Sequence, residues 1–169
     1  MIKVILSVLS VRFAIAVTLL TLLLPQQEAL AMGSSSDDDL EAAEEAIDEE
    51  EYAEAIDLLE NVLSDDPGNP DAYNYLAYSQ RHLDHLDAAM ENYNRALEID
   101  PDHKGALEYQ GELFLLMGDR SSAEKNLGRL VSLCPRGCEE AEELQAAIER
   151  FKDGSLSWIK PDTQMDSGA

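Results

Sequence analysis

At 169 residues and 45% apolar content, the chain has material for one packed domain with appendages, and global disorder is excluded. Its 35 acidic residues against 12 basic ones give a formal charge of −23, which makes nucleic acid and anionic membrane surfaces poor partners. A basic partner, a neutral groove ligand or divalent cations suit this field better, and the acidity also favours solubility.

Residues 1–31 read as a secretory signal. Lys3 and Arg12 lie on its N-terminal side, Phe13 to Leu24 is strongly apolar, and Ala29-Leu30-Ala31 supplies a small-x-small cleavage site. Left uncleaved, Val4 to Leu24 is long enough to span a bilayer, although Arg12 stands in its middle; this is the only route by which the chain would meet a membrane. The expected location is therefore outside the cytoplasm, in a periplasm or secreted, where disulfides persist. Residues 32–36 form a short linker.

From there the sequence repeats itself. Pro67, Pro101 and Pro135 are spaced by 34 residues, as are Ala55, Ala89 and Ala123, and Leu59, Tyr93 and Leu127. Each period has the content of a helical hairpin. In the middle unit, Tyr73, Leu76, Ala77 and Gln80 share a stripe of a first helix that begins after Asn69-Pro70, with Tyr75 and Tyr78 on neighbouring faces. Leu86, Ala89, Met90, Tyr93, Ala96 and Leu97 mark a second helix, which Pro101 ends. The third unit follows with Leu107, Gly111, Phe114 and Leu115, a Met117-Gly118-Asp119 turn needing positive φ at Gly118, then Ala123, Leu127 and Leu130. The first unit is degenerate: its opening helix, about Asp37 to Glu49, has only Leu40, Ala43 and Ile47 as an apolar stripe.

These series, above all Leu76-Ala77…Ala89…Tyr93…Ala96…Pro101 and Leu107…Gly111…Phe114…Gly118…Ala123…Leu127…Pro135, resemble the tetratricopeptide repeat family over about residues 36–135. The resemblance implies an all-α, right-handed helical-hairpin solenoid of three repeats at about 36–69, 70–103 and 104–137. Asp39 and Ala43 stand where the first repeat of the family would carry its aromatic and glycine, so a loosely docked first helix is expected, and pairing with another copy through that end is conceivable. Residues 138–152 then form a capping helix, since Ala141, Leu144, Ile148 and Phe151 give it one apolar face. Residues 153–169 form a tail in which Trp158 is expected to fold back on the cap.

Both cysteines stand in Cys134-Pro135-Arg136-Gly137-Cys138, at the corner between the last repeat and the cap. Zinc would need a second ligand pair, haem attachment a histidine where Glu139 stands, and a thioredoxin-like site a βαβ scaffold. Export, an even cysteine count and the corner position point instead to a disulfide staple.

No nucleophile elbow, Walker loop, H-E-x-x-H or dinucleotide turn is present, so no enzyme activity and no cofactor are expected. The family resemblance implies a groove, lined by the first helices, that holds a peptide or partner protein. By register its lining would be Asn74, Tyr78, Arg81 and His82, then Glu108, Glu112, Leu115 and Leu116, with Leu40, Glu44 and Ile47 from the first unit. Asn can hydrogen-bond an extended backbone, Tyr gives a flat amphipathic contact, and Arg can pair a carboxylate. Glu108 and Glu112 oppose any clamp for a terminal carboxylate. The acidic segment from Asp37 to Glu54 is a second candidate surface, for a basic partner or Ca²⁺. The competing reading is a periplasmic metal- or redox-handling accessory that uses His82, His85, Cys134 and Cys138, although no metal site is assigned to them.

Overall fold

The structure, a computed structural model, describes residues 36–152. The expected signal segment and the tail with Trp158 fall outside these residues. Among the described residues seven helices follow one another: α1 (Ser36–Asp48), α2 (Tyr52–Asp65), α3 (Pro70–His82), α4 (Leu86–Ile99), α5 (Lys104–Leu116), α6 (Arg120–Leu133) and α7 (Glu139–Lys152). No strand occurs among the described residues, and no described helix is long and apolar enough to cross a membrane. The all-α helical-hairpin solenoid is thus realised as three antiparallel pairs, α1/α2, α3/α4 and α5/α6, followed by α7.

The 34-residue register governs how the helices start and stop. Asn69 and His103, equivalent positions, cap α3 and α5: each side chain accepts a hydrogen bond of 3.0 Å, from the Ala72 and Ala106 amides respectively. Because Nδ1 of His103 accepts, its proton is on Nε2, which donates to Asp71 at 2.9 Å and ties the start of α5 to the start of α3. At the other ends, Asp66, Asp100 and Cys134 terminate α2, α4 and α6, with backbone amides bonded to the Val62, Ala96 and Leu130 carbonyls. A proline follows each, so none of these helices can continue. The turns inside the hairpins each contain one residue with left-handed backbone: Glu50 (φ 62°), Asp84 (φ 64°) and Gly118 (φ 80°). Only the third has the residue that adopts this conformation without strain.

Small residues decide where helices meet. Ala43, Ala55, Ala77, Ala89 and Ala123 are completely buried. So are Leu59 and Tyr93 of the large-residue column, with Val62, Ala96 and Leu130 one turn further on. The first helix is well docked rather than loose: Ala43 and Ala46 are buried against α2 and α3, and Leu40 and Ile47 pack over the same cluster. Two small side chains allow the close approach that the missing aromatic would otherwise have filled.

At the far end α7 seals the stack, burying Ala141, Leu144, Ala147 and Ile148 against Leu107, Leu115 and Leu130. Lys104 reaches Glu140 at 3.1 Å across this junction. Gly111 sits where α5 and α7 touch: a Cβ there would lie 2.6 Å from both δ-carbons of Leu144, itself completely buried. Alanine at this site gains about 1 kcal/mol in helix propensity but overpacks the junction by about 2 kcal/mol. Gly111→Ala is therefore expected to lower stability by about 1 kcal/mol, read as a lower urea midpoint at unchanged slope.

Candidate functional site

Helix α1 touches α3, and α3 touches α5, whereas α2 and α4, and α4 and α6, make no contact with one another. First helices that pack closely while second helices splay apart give the stack an inner, concave face formed by α1, α3 and α5. The candidate site lies on that face.

The sequence-derived lining residues are distributed unevenly over it. Asn74 and Glu108, equivalent positions on α3 and α5, are only 3% exposed and form the floor rather than an open wall. Arg81 pairs with Glu112 at 3.1 Å, both side chains nearly buried. The Arg81 guanidinium also lies over the rings of Tyr78 (5.2 Å) and Tyr109 (5.8 Å). His82 has its ring stacked on Tyr52 at 4.4 Å and tilted against Tyr78 at 4.5 Å. Leu115 does not line the groove: it is 1% exposed, turned into the cluster of Leu107, Ala123, Leu130 and Leu144 because α7 covers that side of α5. Leu116, partly buried, packs against the cluster that Ala77, Ala89, Tyr93 and Leu113 form between α3, α4 and α5.

Three residues outside that expected lining complete the face. Tyr75 and Tyr109 are again 34 residues apart, and that shared register was the signal in the sequence; Tyr52, at the start of a second helix, had none. Tyr75, Tyr78 and Tyr109 surround a recess of 210 Å³ with Glu44, Ile47 and Asp48 of α1. A broader depression of 780 Å³ lies between α5 and α7, where Glu112, Glu139, Glu142 and Glu143 face Arg136 and Arg150.

Burial tunes the acid–base state of this face. Burial first, then the neighbouring carboxylates of Glu143 and Glu112, pushes the Glu108 carboxyl from 4.5 up to about 9, so it is neutral near pH 7. Burial also raises Glu112, and Arg81 opposes that shift. The imidazole of His82 is lowered to about 4, first by burial and then by Arg81, which keeps the stacked ring uncharged.

The two metal and redox candidates are separated in space and chemistry. His85 is exposed at the start of α4, and the described residues gather no third ligand around it and His82. The one group of three potential ligands among the described residues is Cys134, Cys138 and Glu140. There the two sulfurs face each other at bonding range, with Cα atoms 5.8 Å apart, between the end of α6 and the start of α7.

A tetratricopeptide repeat family model matches residues 46–103, covering the second helix of the first hairpin and the whole of the second. Over these residues the chain is similar to the tetratricopeptide repeat family, and its hairpin stack has that fold. Solved structures of the same fold extend the likeness beyond that match. The Sgt2 repeat domain of Aspergillus fumigatus is 23% identical, with a TM-score of 0.63 over 79% of this chain and 90% of that one. The first repeat domain of Spaghetti (RPAP3), bound to an HSP90 peptide of sequence SRMEEVD, is 21% identical, with a TM-score of 0.61 over 69% of this chain and 93% of that one. The type III secretion translocator chaperone SycD of Yersinia enterocolitica is 16% identical, with a TM-score of 0.63 over 72% and 95%. At these identities the likeness speaks for the fold.

The raised Glu108 carboxyl makes stability depend on pH. Between its ordinary 4.5 and about 9, the folded protein holds a proton that the unfolded chain releases, so stability present below 4.5 is lost as pH rises towards 9. Glu108→Gln keeps the neutral shape and should flatten this decline, gaining on the order of 2 kcal/mol over the parent near pH 9 and little near pH 5. Thermal unfolding across that range reads it.

Proposed function

We propose that this chain is an exported protein-interaction module that holds an extended peptide, or an extended segment of a partner protein, along its concave face. One observation carries the reading. Oδ1 of Asn74 and Oε1 of Glu108, at equivalent positions on α3 and α5, are buried without a hydrogen-bond partner inside the protein. An unmet buried polar atom costs about 1 to 3 kcal/mol, and a peptide backbone laid across both helices supplies the missing bonds. Tyr78 stands beside them as a flat contact surface. The peptide held by the Spaghetti (RPAP3) domain supports such a use of this fold. An acidic tail is not the fitting ligand, because Arg81 is committed to Glu112 and the face carries further carboxylates.

Peptides selected from a random display library on the full chain test this. Asn74→Ala and Tyr78→Ala are each expected to weaken the selected peptides by about tenfold or more. Asn74→Ala should do so with little loss of stability, since the Oδ1 atom it removes is buried without a hydrogen-bond partner. Unchanged affinity in both variants would place binding elsewhere and overturn the reading.

Export and a closed Cys134–Cys138 disulfide belong to the same proposal. The bond would fix the corner between α6 and α7, and closing so short a loop contributes roughly 2 kcal/mol. Intact mass of the protein recovered from its native host should begin at Met32 and correspond to a closed disulfide, with no alkylation before reduction. A retained signal segment or two alkylated thiols would contradict one part or the other.

A further inference from the structure

The recess between α1, α3 and α5 has a composition that selects its occupant. Three tyrosines, Tyr75, Tyr78 and Tyr109, offer ring surface, and Glu44 and Asp48 stand on the α1 side with Ile47 between them. Electron-rich rings beside carboxylates attract a cation and repel an anion. The chain itself provides the precedent: the Arg81 guanidinium lies over the rings of Tyr78 and Tyr109, and that of Arg95 lies 5.9 Å from the centre of the Tyr73 ring. Arg81 does not line the recess, so this internal cation leaves it open. Its 210 Å³ admits one long side chain and no folded element.

We propose that this recess is a subsite for a single lysine or arginine side chain of a basic partner segment, its aliphatic stem against Ile47 and the tyrosine rings and its charge between Glu44 and Asp48. The proposal rests on the concave face being the binding surface and names the chemistry of what binds there. Three features of the molecule agree with it. The net charge of −23 draws basic partners to the chain from a distance. The Tyr75 hydroxyl is pushed up to about 12, by burial first and then by Glu44 and the neighbouring aspartates, which places a negative field in the recess. Glu44 and Asp48 are exposed on α1, so either can be changed without disturbing the core.

Butylammonium, a lysine side-chain mimic, and 1-butanol, its neutral counterpart of the same shape, are the probes. Titrated into the full chain and followed by amide and tyrosine-ring NMR shifts, butylammonium should perturb Ile47, Tyr75, Tyr78 and Tyr109, and butanol should do so at least about fivefold more weakly. Glu44→Gln with Asp48→Asn should weaken butylammonium by about fivefold and leave butanol unchanged. Equal response to both probes would make the recess merely apolar, and shifts confined to other acidic surfaces would show only general charge attraction; either result overturns the proposal. If selected peptides still depend on Asn74 and Tyr78 but carry no basic residue at the recess, the cationic subsite fails while the peptide groove stands. If butylammonium binds as expected and the peptides ignore Asn74 and Tyr78, the subsite stands and the groove reading fails.

Discussion

The close approach of successive first helices is the constraint on which the rest of this structure depends. Ala43 and Ala77 are completely buried, and Gly111 occupies the equivalent place on α5. Small side chains at that register let each first helix sit close to the next one and α5 to α7, while α2 and α4, and α4 and α6, make no contact with one another. The difference in spacing bends the stack and turns one row of helices into a concave surface. A larger residue in that column would push first helices apart and flatten the face before it touched any binding residue.

Curvature concentrates polar groups on the inner side, and the protein manages them in two ways. Arg81 and Glu112 neutralise each other in a nearly buried pair, which leaves little net charge at the centre of the floor. Glu108 stays neutral by holding its proton, because Glu143 and Glu112 face it and solvent does not. The other carboxylates stand at the margins, on α1 on one side and on α7 on the other. A face that is acidic in its sequence is therefore largely aromatic and paired at its centre, with acidic residues at its edges.

That arrangement separates this chain from what the fold alone would imply. The solved structures it resembles share the hairpin stack at 16 to 23% identity, which transmits helix geometry and not the chemistry of a groove. The chemistry here comes from particular residues: tyrosines at 75, 78 and 109, orphaned polar atoms at 74 and 108, and carboxylates at 44 and 48. On the proposed reading, it suits a ligand with free backbone donors and a positive side chain.

The sequence by itself determined the helical-hairpin repeat. Its 34-residue columns of proline, alanine and large apolar residues encode local stops and close contacts, and such rules act over a few turns of chain, so they are legible without coordinates. Register also located Asn74, Tyr78, Arg81, Glu108 and Glu112 on one face. Tertiary structure alone decided what each does there. Leu115 left the groove because α7 covers its side of α5, and Ala43 with Ala46 docked a first helix that lacks the usual aromatic. Tyr52 joined the face by packing against His82 across two repeats, and Glu108 became neutral through burial first and then through nearby carboxylates, Glu143 of α7 among them. Burial, pairing and proton affinity depend on groups distant in the chain and adjacent in space, and no local pattern records that adjacency.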